Sequence, residues 1–108
     1  MSRYIISGGK KLQGEISIRG AKNASYKQII ASMLSDQTTQ LTNIPNISDI
    51  KITESIAKSL GSEISSCGEH CIKVTTSKIK NFTVPQGTGV KSRSSFMFSA
   101  PLLVRTGQ

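Results

Sequence analysis

Residues 14–24 (GEISIRGAKNA) most narrowly limit what this chain can fold into. Polar and apolar residues alternate over positions 15–19, which is typical of a strand with one buried face. Gly20 then allows a sharp turn, and apolar residues recur at helical spacing from Lys22 to about Asp36. The segment predicts a strand, a tight glycine turn and a helix that begins at Lys22.

Lys22 and Asn23 fall in the first turn of that helix, and each has two interpretations. A helix start carries unsatisfied backbone N–H groups and the positive end of the helix dipole. With the Lys22 ammonium it would form a small site for a phosphate or carboxylate, but a solvated lysine after a turn glycine fits the pattern too. Asn23 suits a helix N-cap and equally suits a ligand, because its amide both donates and accepts.

The rest of the chain alternates between strand and helix patterns. We predict strands at residues 3–7, 38–44, 63–66 and 71–75, the last two as a hairpin, and a loop at 78–89 with a possible short strand at 82–84. We predict helices at residues 49–60 and 91–104.

Three residues mark the limits of those two helices. Asp49 is expected to cap the first, Gly61 to end it, and Pro101 to kink or interrupt the second. From residue 15 the order is β-α-β-α-β-β followed by a helix. This order predicts an α/β (α+β) layer of sheet and helices rather than a bundle or sandwich.

The chain is basic, with a formal net charge of +8 from 14 Lys and Arg against 6 Asp and Glu. That balance favours anionic partners. The basic residues are scattered, and three Phe and two Tyr leave little for base stacking, so nucleic acid is not the expected partner. No signal peptide or membrane-length apolar run is visible. We therefore expect a soluble, cytoplasmic protein with no membrane partner.

Cys67 and Cys71 flank Gly68, Glu69 and His70. A metal site would use the two cysteines and His70, but this spacing matches no standard zinc motif. A hairpin turn with two incidental thiols explains the segment better. We expect both thiols to be free in a reducing cytoplasm, and no metal to be bound.

Five segments in the same order resemble the enolpyruvyl transferase family: residues 8–24 (GGKKLQGEISIRGAKNA), 41–50 (LTNIPNISDI), 60–61 (LG), 91–95 (KSRSS) and 101–105 (PLLVR). The resemblance implies a domain built from three β-α-β-α-β-β units as an inside-out α/β barrel. Residues 13–108 would form part of one domain, with one complete unit at about 14–76 and the start of a second. Residues 1–12 would form a strand that belongs to the other domain.

The same resemblance implies an activity and its residues. The reaction would transfer the enolpyruvyl group from phosphoenolpyruvate to the 3-hydroxyl of UDP-N-acetylglucosamine in peptidoglycan synthesis, without a cofactor. The shikimate-pathway reaction of the same family is the second choice. Lys22 would contact phosphoenolpyruvate, whereas Asn23 and Arg93 would contact the sugar nucleotide. A salt bridge from Arg93 to Asp49 or Glu54 is the structural alternative, and Lys91 is a weaker candidate.

The family's catalytic loop would lie beyond Gln108, so the resemblance assigns no catalytic residue to this chain. We therefore expect an amino-terminal piece of the enzyme that is inactive alone. The alternatives are a complete small protein and a non-catalytic anion-binding or interaction module. An incomplete sheet would leave an exposed edge and favour self-association.

Overall fold

The computed structural model describes residues 3–90 and 93–107. Its elements, in chain order, are α1 (Lys22–Ser32), β1 (Thr39–Leu41), α2 (Ser48–Leu60), β2 (Glu63–Gly68), β3 (Cys71–Thr75), α3 (Gln86–Gly89), a 3-10 helix (Arg93–Phe98) and α4 (Ser99–Thr106). The predicted mixture of helix and sheet is confirmed. Within the described part, no helix has the length and apolar character needed to cross a membrane.

The three strands form one antiparallel sheet in the order β1-β3-β2. Val74 in the central strand pairs with Thr39 on one side and Ile64 on the other. Ile72 and Val74 are two residues apart and so point to the same face, which packs against the helices. The outer face carries Gln40, Lys73 and other polar residues. The sheet is open, with β1 and β2 at its edges.

The core lies between this sheet face and the helices. The 3.6-residue period explains it, because residues three and four apart on α1 and α2 share one face. The buried apolar residues are Ile29, Ile30, Met33, Ile44, Ile50, Ile56, Ala57, Leu60, Val74, Ile79, Phe98 and Leu102. The predicted helix of residues 49–60 and the hairpin of residues 63–75 are confirmed.

The predicted strands at residues 3–7 and 15–19 are wrong, because residues 3–21 contain no helix or strand. Ile6, Leu12, Ile16 and Ile18 are between 87% and 93% exposed. The radius of gyration is 16.9 Å, against roughly 13 Å for a compact domain of this length. The alternation is suited to a strand, but a strand forms only where a neighbour accepts and donates its backbone hydrogen bonds. The described chain offers this segment no neighbour.

Several boundaries differ from the prediction. Helix α1 ends at Ser32 rather than near Asp36, and β1 spans only three residues. No strand forms at residues 82–84. The last helical segment breaks between Phe98 and Ser99, not at Pro101. Pro101 lies in the first turn of α4, where a missing N–H costs no intrahelical hydrogen bond.

The two cysteines were expected to be free, and that expectation is wrong. Cys67 and Cys71 form a disulfide, with their Cα atoms 5.1 Å apart. The hairpin brings them together, since Cys71 begins β3 and Cys67 lies in β2. The sequence indicated the hairpin but not the pairing of its two thiols.

Arg105 joins α4 to the rest of the fold. Its guanidinium donates hydrogen bonds to the carbonyl oxygens of Met33 and Ser35 after α1, and of Thr76 and Ser77 after β3. The five N–H groups of a guanidinium suit such a convergence of acceptors. The side chain is half-buried and fixes α4 against the ends of α1 and β3.

Candidate anion-binding site

The site begins where the first turns of α1 and α2 meet. Lys22 is the first residue of α1 and Asp49 is the second residue of α2. The Lys22 Nζ lies 2.8 Å from Asp49 Oδ2, so the two helices begin side by side. The Lys22 side chain is 52% exposed and that of Asp49 is 37% exposed. A cation and two helix starts therefore face solvent together, which is an arrangement suited to an anion.

Gly20 fixes the approach to α1. Its N–H donates to the carbonyl oxygen of Asn43, at 3.1 Å, which ties the start of α1 to the loop before α2. A Cβ at position 20 would overlap that carbonyl oxygen. Glycine is needed here because two backbone segments approach each other closely. The predicted tight turn is not what requires it, since residues 11–21 contain no turn.

Two predicted helix caps are wrong. Ala21 and Ile47 occupy the N-cap positions of α1 and α2, and neither makes a side-chain capping hydrogen bond. Asn23 lies in the first turn of α1 and is exposed. Asp49 pairs with Lys22 instead of capping α2. The sequence alone could not reveal this pair, because its members lie on different helices.

The structure also brings the start of the 3-10 helix to this end of the fold. Ser94 is buried, and its Oγ lies 3.4 Å from Thr53 Oγ1, which in turn donates to the Asp49 carbonyl. The backbone of Arg93 therefore lies near the first turns of α2. The Arg93 side chain and all of Lys91 lie outside the part of the chain that the structure describes. Of the three predicted binding residues, Lys22 and Asn23 lie in the first turn of α1, and both are exposed.

A cavity of about 490 Å³ lies next to the site, between α2 and the β2–β3 hairpin. Its lining includes Ile44, Ile50, Ile64, Ile72 and His70. None of the predicted binding residues lines it. The anion site is thus an exposed surface at the helix starts, separate from this cavity.

Asp49 raises the pKa of Lys22 above its ordinary value, mainly by accepting its hydrogen bond and also by charge attraction. A raised lysine pKa means that the pair stabilises the fold fully below the unfolded value, 10.5, and that this contribution is lost as the pH rises through the folded value. Lys22 is therefore cationic at neutral pH.

We expect the substitution Asp49→Asn to lower the pKa of Lys22 towards its ordinary value. Both causes of the shift depend on the carboxylate charge, which the amide lacks. An NMR pH titration of the Lys22 side chain would measure the change. Glu54→Gln, a change of the same kind further along α2, should leave the Lys22 titration as it is. A Lys22 pKa that is equal in Asp49→Asn and wild type would contradict the ion pair.

Comparison with known proteins gives one consistent result. The family model for EPSP synthase (3-phosphoshikimate 1-carboxyvinyltransferase) matches residues 6–108. All of the chain aligns, at 41% identity over 109 residues, with UDP-N-acetylglucosamine 1-carboxyvinyltransferase of Orientia tsutsugamushi (strain Boryong). The proteins of that name from Psychromonas ingrahamii and Treponema denticola are 38% and 35% identical over 108 residues, again with all of the chain aligned.

The fold is similar to that of a solved structure, the enolpyruvyl transferase NikO from Streptomyces tendae. The TM-score is 0.80 at 20% identity, over 93% of this chain and 23% of that one. At that identity the likeness concerns the fold alone, and it agrees with the predicted fold class of an incomplete barrel. The chain spans about a quarter of the length of the curated relatives it matches, namely 26% of the Orientia and Psychromonas proteins.

Proposed function

The chain belongs to the EPSP synthase family of enolpyruvyl transferases, and we propose that it forms one wall of the active site of a UDP-N-acetylglucosamine 1-carboxyvinyltransferase. The family model covers 103 of its 108 residues, counting from 6 to 108. The proposed reaction transfers the enolpyruvyl group of phosphoenolpyruvate to the 3-hydroxyl of the amino sugar. The carbon–oxygen bond to phosphate breaks, a new carbon–oxygen bond to the sugar forms, and the released phosphate takes up, in the net balance, the proton that the sugar hydroxyl loses.

The observation that carries this proposal is the Lys22–Asp49 pair at the joint start of α1 and α2. Lys22 is cationic and half exposed, so its ammonium can turn from Asp49 to a phosphate or carboxylate of a ligand. The relatives described above are named as carboxyvinyltransferases that act on UDP-N-acetylglucosamine, a sugar nucleotide. The charge, the geometry and the family thus support the same kind of ligand.

Each proposed binding residue has a separate task. Lys22 holds the anionic groups of phosphoenolpyruvate and stabilises the negative charge of the tetrahedral intermediate. Asn23, exposed in the same helical turn, hydrogen-bonds the amino sugar near the hydroxyl that reacts. Arg93 binds the sugar nucleotide, for which a guanidinium is well suited because it can contact two phosphate oxygens at once.

The amino-sugar reaction is preferred to the shikimate reaction of the same family. The relatives cited above, at 35–41% identity, are named for the amino sugar. The proposed role is therefore in peptidoglycan synthesis in the cytoplasm and, through it, in cell shape and division. A non-catalytic anion-binding module is the alternative that the experiment below separates from this one.

The remaining active-site groups, including the catalytic loop, are proposed to come from sequence that the relatives have and this chain does not span. Large apolar side chains at Ile16, Ile18, Leu103 and Val104 are between 62% and 91% exposed. Exposed apolar surface of this extent is typical of an interface. In this proposal the other parts of the enzyme cover it, and the chain alone releases no phosphate from phosphoenolpyruvate.

We expect the chain to bind phosphoenolpyruvate through Lys22, and Lys22→Met to weaken that binding at least about tenfold, because a charge-assisted hydrogen bond is lost. NMR titration would follow the amides of Gly20, Lys22 and Asn23, with UDP-N-acetylglucosamine as the second ligand. Lys27→Met is the matched control, since Lys27 is an exposed lysine of the same helix.

Three outcomes would decide between the candidate functions. Binding of both ligands, with Lys22→Met impaired and Lys27→Met unaffected, supports the transferase wall. Binding of phosphoenolpyruvate and inorganic phosphate alike, with no response to the sugar nucleotide, supports the anion-binding module. Amides of Gly20, Lys22 and Asn23 that stay unmoved at millimolar concentrations of all ligands would exclude both.

A further inference from the structure

The tip of the β2–β3 hairpin holds the loop that precedes α2. His70 Nδ1 lies 2.8 Å from the carbonyl oxygen of Ile44, and the Ile44 N–H donates to the His70 carbonyl oxygen at 2.9 Å. A carbonyl can only accept, so Nδ1 carries the proton in this contact. The imidazole side chain is 18% exposed and Ile44 is 5% exposed, so both contacts are largely shielded from water.

This bridge continues to the anion site. Asn43 precedes Ile44, and its carbonyl oxygen accepts the Gly20 N–H at 3.1 Å. Gly20 lies two residues before Lys22. One loop, residues 43–44, is therefore held by the hairpin tip on one side and holds the start of α1 on the other.

Asn43 in the loop and His70 in the hairpin tip both adopt a backbone conformation that costs energy. Asn43 and His70 each have φ of 57°, and they are the non-glycine residues of positive φ in the described ranges. Such a conformation persists where its surroundings enforce it. The described contacts around these two residues are the hydrogen bonds between His70 and Ile44 and the one from Gly20 to Asn43. The Cys67–Cys71 disulfide closes the turn around His70 and restricts it further.

The hairpin tip borders the cavity described above, which His70 helps to line, but its described residues offer no metal-binding group. Both cysteines are in the disulfide, and within residues 3–90 and 93–107 no group of three His, Cys, Asp or Glu could hold a metal ion. His70 Nε2 lies 3.3 Å from Glu69 Oε1, whose side chain is 86% exposed. The contact that links His70 to the fold is the one to Ile44.

We propose that His70 is a positioning residue for the anion site, acting through Ile44 and Asn43 on Gly20 and Lys22. The proposal rests on the proposed function, because the site that His70 positions is the phosphoenolpyruvate site assigned there. Hydrogen exchange at the Gly20 amide provides a readout that needs no ligand. It reports whether the Asn43 carbonyl stays in place.

The test compares three variants with the wild-type chain, without reductant so that the disulfide stays intact. His70→Gly accepts the positive φ but lacks the donor. His70→Asn tolerates the same φ and keeps a side-chain N–H. Glu69→Gln removes the neighbouring charge and leaves the Ile44 contact in place.

We expect His70→Gly to speed Gly20 exchange about three- to tenfold, the effect of one lost hydrogen bond, and to weaken phosphoenolpyruvate binding by a similar factor. His70→Asn should restore both, and Glu69→Gln should match wild type. The Lys80 amide, bonded to the Leu60 carbonyl at 2.9 Å, should exchange at the wild-type rate in every variant.

Two results would overturn the proposal: wild-type Gly20 exchange in His70→Gly, or an equal acceleration at Gly20 and Lys80, which would indicate a general loosening. Failure of His70→Asn to restore protection would overturn the hydrogen-bond mechanism. If the wild-type chain does not bind phosphoenolpyruvate, the proposed function fails, and Gly20 exchange still decides the role of His70.

Discussion

Replacing Phe98 with alanine is expected to lower the free energy of unfolding by about 3–5 kcal/mol. Phe98 is fully buried and ends the 3-10 helix that leads into α4. It belongs to the core cluster that includes Ile29, Met33 and Ile56. Removing its ring would lose apolar burial and leave a cavity, and about 3–5 kcal/mol is a large share of the stability of a small domain. Urea unfolding followed by circular dichroism would measure the change.

Phe96→Ala is the matched control for Phe98→Ala. Phe96 is a phenylalanine of the same 3-10 helix, and 82% of it is exposed. Its replacement should change the free energy of unfolding by less than about 0.5 kcal/mol, as is usual at exposed positions. Equal effects of the two substitutions would show that the packing of this segment differs from the one described.

The sequence predicts best those elements whose signals are local. The apolar stripe of α2 and its end at Gly61 follow from spacing and from one glycine, which has φ of 120° in the structure. The start of α1 at Lys22 follows in the same way from the helical spacing of apolar residues that begins there. Such features depend on residues within a few positions of each other, so a single sequence contains them.

The strand prediction for residues 3–7 and 15–19 failed for a non-local reason. Alternation indicates which side chains could share a face, but it does not identify the neighbouring strand. Ile16 and Ile18 alternate with polar residues and are still 91% and 87% exposed. An alternating pattern therefore does not by itself make a segment a strand. The segment also needs a neighbouring strand in the same fold with which its backbone can pair.

In the candidate site, too, the local features could be predicted from the sequence and the contacts between distant residues could not. The glycine, the lysine and the asparagine of residues 20–23 could be found from sequence, together with their helical position. Asp49 was taken for a cap, and His70 for part of a hairpin turn. Their contacts with Lys22 and Ile44 join residues 27 and 26 positions apart, counting 22 to 49 and 44 to 70. Only the packing of α1, α2 and the hairpin brings them together.

Gly20→Ala is expected to lower the free energy of unfolding by about 3 kcal/mol and to remove phosphoenolpyruvate binding within the measurable range. The new Cβ would overlap the Asn43 carbonyl oxygen, so one of the two backbone segments must move. Overpacking of this kind costs about 1–3 kcal/mol, and the lost Gly20–Asn43 hydrogen bond adds about 1 kcal/mol. Movement at residue 20 would displace Lys22 from Asp49.

Gly8→Ala separates this steric effect from a general effect of replacing glycine. A Cβ at position 8 would meet no atom within 4 Å, so stability and binding should equal those of wild type. Urea unfolding and the NMR titration of Lys22 measure the two consequences independently. Because the clash lies at the start of α1, Gly20→Ala should also shift the Lys22 and Asp49 signals in the folded protein without ligand. If Gly20→Ala were as stable as Gly8→Ala and bound phosphoenolpyruvate normally, the close approach of residues 20 and 43 would not be what positions Lys22.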